Sequence, residues 1–199
     1  MSEFTAKRNL ILSTAIELFS KRGYVKTSLG DIAASVGMGK ATLYYYFPSK
    51  EELFLQAVSE AAEEFFCHLR SNIARQSSFE DKLRDFLGLP VRFILENMPI
   101  LAEAIRVIPT QFKEKLDDLR TQNRSRMYSA LAEIIEHGKA QEVLAPDFAS
   151  ERFSQLINDW FLLTDTNFVL NEREHVLKRL ENDLDWIVKL ILYGILKRG

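Results

Sequence analysis

The 199-residue chain is 47% hydrophobic and 27% charged, ordinary for a globular protein, and sparse Pro and Gly, 5 and 8, disfavour a strand-and-turn architecture. No apolar run approaches the roughly 20 residues that span a bilayer, and a single cysteine, Cys67, excludes an internal disulfide and fits a reducing cytoplasm. A net charge of −2 argues against a nucleic-acid binder, but its distribution does not: residues 1–50 hold seven basic and three acidic residues, a balance of +4, and residues 51–199 carry −6.

In chain order, residues 1–5 read as frayed. From Ala6 to Arg22 a stripe of Ile11, Ala15, Leu18 and Phe19 predicts a helix, with Lys7 and Arg8 near its start and Gly23 at its end. The next stretch, TSLGDIAASVGMGKATLYYYFPSK from Thr27 to Lys50, carries the densest local information. Ser28 is placed to cap a helix from Leu29 to Val36, with Asp31 completing a box-like pairing. Gly37 supplies a left-handed turn. A two-turn helix follows from Lys40 to Tyr46, locked to the core by Leu43 and Phe47 on one face.

That leaves Lys40, Ala41, Thr42, Tyr44 and Tyr45 outward, an odd surface for a solvated helix but suited to the major groove of DNA. A small residue permits close approach there, and hydroxyls reach phosphates. The competing reading is a tyrosine-rich helix packed on another domain. Pro48 stops this helix, and Ser49 with Glu52 caps the next, which runs to about Arg75. Lys50 sits in its first turn, where the helix dipole disfavours a cation, so a phosphate contact explains it better.

The residues from Ile11 through AIELFSKRGY and TSLGDIAASVGMGKATLYYYFPSKEELF to about Phe54 resemble the N-terminal domain of the TetR/AcrR family of bacterial transcriptional regulators. The remaining three quarters show only a compatible pattern. One departure is Gly39, where the family usually has a small hydroxyl residue. The resemblance implies an all-α fold with residues 1–50 as a helix-turn-helix DNA-binding domain, its motif reaching about residue 60. Residues 51–199 would form a helical effector-binding and dimerisation domain. Tyr44, Lys40 and Ala41 are expected at base edges, and Thr27, Ser28, Thr42, Tyr45 and Lys50 at phosphates.

Beyond Arg75, Gln76-Ser77-Ser78 breaks the pattern. A helix is predicted from Phe79 to about Met98, bent near Gly88 and Pro90, then a short one between Pro99 and Pro109. A long helix spans Thr110 to about Gln141, another opens at Pro146-Asp147, and the last begins near His175, giving about nine helices. The final helix carries Leu177, Leu180, Leu184, Ile187 and Ile191, with Trp186, Leu190 and Tyr193 besides. More than one face must be covered. Either the last two helices complete the core, or they meet a symmetry mate in a four-helix bundle, as the resemblance implies.

An apolar pocket with a few polar anchors would suit a small effector in the body. The candidates are Phe66, Phe93, Phe112, Tyr128, Asn158, Phe161, Asp165 and Phe168. No metal-ligand spacing or nucleophile–base pair appears, and Gly37-Met38-Gly39-Lys40 lacks the Ser/Thr of a phosphate loop, so no cofactor and no catalysis are expected. The reading is a cytoplasmic, homodimeric, ligand-responsive regulator, most simply a repressor of a palindromic operator. The alternatives are a helical protein-binding adaptor, or an enzyme using the C-terminal pocket.

Overall fold

The computed structural model describes residues 3–107, 109–145, 148–163 and 182–195. Eight helices occur among them: α1 (Glu3–Arg22), α2 (Leu29–Ser35), α3 (Lys40–Tyr46), α4 (Lys50–Arg75), α5 (Phe79–Val107), α6 (Thr110–Ala140), α7 (Ser150–Leu163) and α8 (Leu184–Ile195). The fold is all-α, with no strand among the described residues.

The chain forms two compact units. The first comprises Met1–Glu64 with Pro99–Arg120, the second Phe65–Met98 with Thr121–Gly199. The first unit thus runs beyond residue 50 and takes in the start of α6. Its core gathers the buried faces of α1 (Ile11, Ala15, Phe19), α2 (Ile32, Ala33) and α3 (Leu43, Phe47) around Leu53 and Phe54 of α4. Leu116 of α6 is buried in the same cluster, with Phe112 and Leu119 packed against it.

The second unit has its own core. Leu69 and Ile73 of α4, Leu83 and Phe86 of α5, Leu131 and Ile134 of α6, Ile157 of α7, and Val188 and Leu192 of α8 meet there. Close packing at Gly138 of α6 is enforced by Phe79, because a Cβ at that glycine would lie 2.6 Å from the ring's Cδ2. Gly88 of α5 likewise admits Leu184 of α8, whose Cδ2 would sit 2.5 Å from an added Cβ. The α4–α5 corner is tied down by polar bonds. Lys82, buried, donates to the Ile73 carbonyl at 2.7 Å, and Ser78 accepts from the Asp81 N–H at 3.0 Å.

Three expectations change. The chain is helical from Glu3 rather than Ala6: Glu3 pairs with Lys7 one turn on, and Phe4 stacks on Tyr46 of α3. Helix α5 runs unbroken through Pro90 and Pro99 to Val107, where the sequence suggests two helices. Each proline removes one backbone bond, and the turns on either side keep theirs. Helix α7 begins at Ser150, not at Pro146-Asp147; Phe148 and Ala149 precede it in non-helical conformation.

Candidate nucleic-acid interface

The corner that presents α3 is built as its residues dictate. Ser28, in extended conformation, accepts from the Asp31 N–H at 3.1 Å, and the Asp31 carboxylate accepts from the Ser28 N–H at 2.9 Å and its hydroxyl at 2.6 Å. These bonds stabilise the charged carboxylate and lower the Asp31 pKa from its ordinary value, with the Ser28 hydroxyl the largest contributor. At the other end of α2, Gly37 takes φ +68°, and the Met38 N–H bonds back to the Ala33 carbonyl at 2.8 Å. The chain thus turns sharply into α3.

Gly39 takes the N-cap position of α3 and has no side chain to cap it, as its departure from the family pattern anticipates. Leu43 is fully buried and Phe47 is 3% exposed, so the inner side is fixed. Lys40, Ala41, Thr42, Tyr44 and Tyr45 all face solvent, with Tyr45 76% exposed. Beside this face lies an open cleft of about 390 Å³, lined by Ser28, Lys40, Tyr44, Ser49 and Lys50 among others. The starts of α2, α3 and α4 all contribute to it, and α4 begins with Ser49 capping the Glu52 N–H at 3.1 Å. Helix starts carry partial positive charge. The cleft is lined by two lysines, Lys40 and Lys50, and by one carboxylate, Glu51.

Lys50 is half-buried rather than projecting. Its ammonium lies 4.1 Å from the centre of the Tyr24 ring and 3.5 Å from the Val25 carbonyl, a long contact for a hydrogen bond. From sequence, a phosphate is the reason for a lysine in a first turn; the aromatic face supplies a second reason within the fold. Tyr24 in turn donates to Glu51 at 3.2 Å. Burial first, then the negative Glu51, push its phenol well above the ordinary value, so it stays neutral.

Thr27 is a correction. It is fully buried, and its hydroxyl donates to the Gly23 carbonyl at 2.8 Å and lies 3.3 Å from that of Leu18. A hydroxyl spent on closing the α1–α2 turn is not presented to a phosphate, although the residue borders the cleft. Ser28, exposed, also uses its hydroxyl in the helix cap.

The structure adds one residue that the sequence alone does not single out, Phe4, and shows what Arg8 and Lys7 touch. Phe4 of α1 stacks on Tyr46 with centroids 4.9 Å apart and meets Tyr45 edge-on at 5.9 Å. The Arg8 guanidinium lies 5.0 Å over the Phe47 ring, and Lys7 pairs with Glu3 at 2.6 Å.

The effector candidates fare unevenly. Phe66 is buried in the second unit's core and Phe93 contacts Phe65 at 4.6 Å, whereas Tyr128 is 40% exposed. Phe112, on one stripe with Leu116 and Leu119, packs against the core of the first unit, whereas Phe66 belongs to the core of the second. The side chains of Asn158 and Phe161, and all of Asp165 and Phe168, lie outside the described residues.

Residues 11–57 match the model of the bacterial regulatory proteins, tetR family. Over 90% of this chain and 90% of its partner in the comparison, the sequence is 30% identical to the HTH-type transcriptional regulator TtgR of Pseudomonas putida. The chain belongs to the tetR family. The fatty acid metabolism regulator protein of Bacillus subtilis is 23% identical over 98% of both chains. Among solved structures, a transcriptional regulator from Cytophaga hutchinsonii shares the fold with a TM-score of 0.78, at 22% identity over 96% of this chain and 99% of that one. This tetR-family chain is therefore a ligand-responsive, DNA-binding transcriptional regulator.

Proposed function

We propose that two copies of this chain repress transcription by gripping a palindromic operator, and that a small, largely apolar effector releases them. The observation that carries this reading is the outward face of α3, with Lys40, Ala41, Thr42, Tyr44 and Tyr45 side by side next to a cleft that holds Lys40 and Lys50. In this reading Tyr44, Lys40 and Ala41 approach base edges. Thr42, Tyr45 and Lys50 hold phosphates, with Lys50 leaving the Tyr24 face to do so, and the Ser28 corner borders the backbone. Residues 1–50 act as the DNA-binding part, and residues 51–199 bind the effector and dimerise. The site of action is the cytoplasm.

One recognition helix of seven residues touches too few bases for specific binding, and two spaced about 34 Å apart read a two-fold site. The seam proposed for pairing is α8, where Trp186, Leu190 and Tyr193 fall on one stripe and are 65%, 53% and 79% exposed, while Val188 and Leu192 are buried on the other side. The role is regulatory rather than catalytic, and an adaptor role is not favoured by the polar, groove-sized face of α3. An apolar effector fits the aromatic contacts among Phe65, Phe66 and Phe93 in the second unit.

The test is selection of genomic DNA fragments by the purified protein across a range of salt. An enriched palindrome, with affinity falling steeply as salt rises, is the expected result. Absence of enrichment at every salt concentration would overturn the operator reading.

A further inference from the structure

We infer that Phe4, at the start of α1, is a positioning residue for Tyr45, fixing this exposed side chain of the recognition helix in the orientation that reaches a phosphate. The inference rests on the DNA-binding reading above. Tyr45 is 76% exposed and lies in the last turn of a short helix, where its own backbone leaves the ring free to change rotamer. Its ring meets two others edge-on. Tyr46, its neighbour in sequence, is 5.4 Å away at 86°, and Phe4 is 5.9 Å away at 89°. Phe4 also stacks on Tyr46 at 4.9 Å and 27°, so the three rings form one cluster across two helices. Edge-on and offset arrangements are the favourable geometries for aromatic pairs, because positive ring edges meet negative faces.

Core burial does not account for Phe4, which remains 45% exposed. Its side chain lies across the outer turn of α3 instead of filling the space beneath it. Four residues on, the Arg8 guanidinium sits over Phe47 at the C-terminal cap of α3. The first two turns of α1 thus hold the last turn of α3 through consecutive aromatic contacts. A phenol fixed before DNA arrives loses less freedom on binding, which strengthens the complex without any new contact.

The experiment measures operator affinity and its salt dependence for the full chain and for Phe4→Ala, Phe4→Leu, Phe4→Tyr, Tyr45→Phe and Phe4→Ala with Tyr45→Phe, each checked for thermal stability. Phe4→Ala should weaken binding about three- to tenfold. The salt slope should stay unchanged, because a neutral phenol releases no counterion. Phe4→Leu, which keeps apolar bulk but removes the ring, should bind as weakly as Phe4→Ala with a melting temperature near that of the parent, and Phe4→Tyr should restore binding. Added to Tyr45→Phe, Phe4→Ala should cost nothing further. Equal losses from Phe4→Ala in both backgrounds, a salt slope lower by about one, or parental binding by Phe4→Leu would each overturn the assignment. So would a Tyr45→Phe variant that binds as the parent does. If Lys50→Ala and Tyr44→Ala weaken binding in that case, the DNA-binding reading stands and only the role of Phe4 falls.

Discussion

The outward faces of α3 and α8 differ in kind, although both helices are short and both bury an apolar stripe. Helix α3 buries Leu43 and exposes Lys40, Thr42, Tyr44 and Tyr45, side chains whose polar tips make hydrogen bonds. Helix α8 buries Val188 and Leu192 and exposes Trp186, Leu190 and Tyr193, which offer mostly apolar area. The first surface can satisfy an anionic, hydrated partner. The second gains most by excluding water against another apolar surface. What each helix leaves uncovered indicates its partner better than what it buries.

The largest expected effect follows from the α8 face. Trp186→Ala should leave the helical circular dichroism unchanged and weaken self-association by about 2 kcal/mol or more, roughly a thirtyfold rise in dimer dissociation constant, since buried aromatic anchors dominate such seams. Sedimentation equilibrium reads this directly. A chain that is dimeric with the same constant in the variant would remove α8 from the interface and reduce the comparison to surface composition.

The two units also use glycine for different reasons, which gives a sharper test at smaller magnitude. Gly138 is needed for space, with the Phe79 ring 2.6 Å from where a Cβ would go. Gly37 has nothing within 4 Å of such a Cβ but holds φ +68°. Gly138→Ala should therefore cost about 1–3 kcal/mol by overpacking, and Gly37→Ala about 1–2 kcal/mol by backbone conformation. Asparagine separates the causes. It tolerates the left-handed region, so Gly37→Asn should recover part of the loss, whereas Gly138→Asn, being larger, should deepen it. Denaturant unfolding of the four variants checks the pattern, and equal behaviour of asparagine at both sites would refute it.

The α2–α3 corner was legible because its determinants are local. The Ser28 cap, the Asp31 partner, the Gly37 turn and the Leu43–Phe47 face lie within twenty residues, and each acts on neighbours in the chain. Thr27 was misread for the opposite reason. A hydroxyl beside the cap suggests exposure, but it donates to the Gly23 carbonyl four residues back, and the Leu18 carbonyl, nine residues back, closes over it when α1 packs. Phe4 was passed over because its partners, Tyr45 and Tyr46, are about forty residues away. Lys50 lies between these cases. Its place in a helix start was clear, but Tyr24 as a perch for its charge follows from tertiary packing. Beyond α4, periodicity identified helices without identifying partners, so Phe112 was grouped with Phe66 although it packs against the first unit's core. Pro99 was read as a boundary because sequence shows the missing N–H but not the support of the turns on either side.

The same Ser-x-x-Asp box opens α2 at Ser28–Asp31 and α5 at Ser78–Asp81, and in both the serine hydroxyl bonds the aspartate. Only the first borders the cleft beside α3. Ser28→Ala and Ser78→Ala should each cost about 1 kcal/mol of stability, but only the former should also weaken operator binding, because it loosens the start of α2. Acid should erase part of the first cost. The pKa of Asp31 is lowered in the fold, so its contribution is fully present above the ordinary carboxylate range and is lost as pH falls through the depressed folded value. The stability difference between the parent and Asp31→Asn should therefore be constant near neutrality and shrink on acidification below about pH 4. Chemical denaturation at a series of pH values measures it. A difference that stays level into strong acid would show that the Asp31 charge contributes nothing to holding the corner, leaving the serine hydroxyl to cap α2 alone.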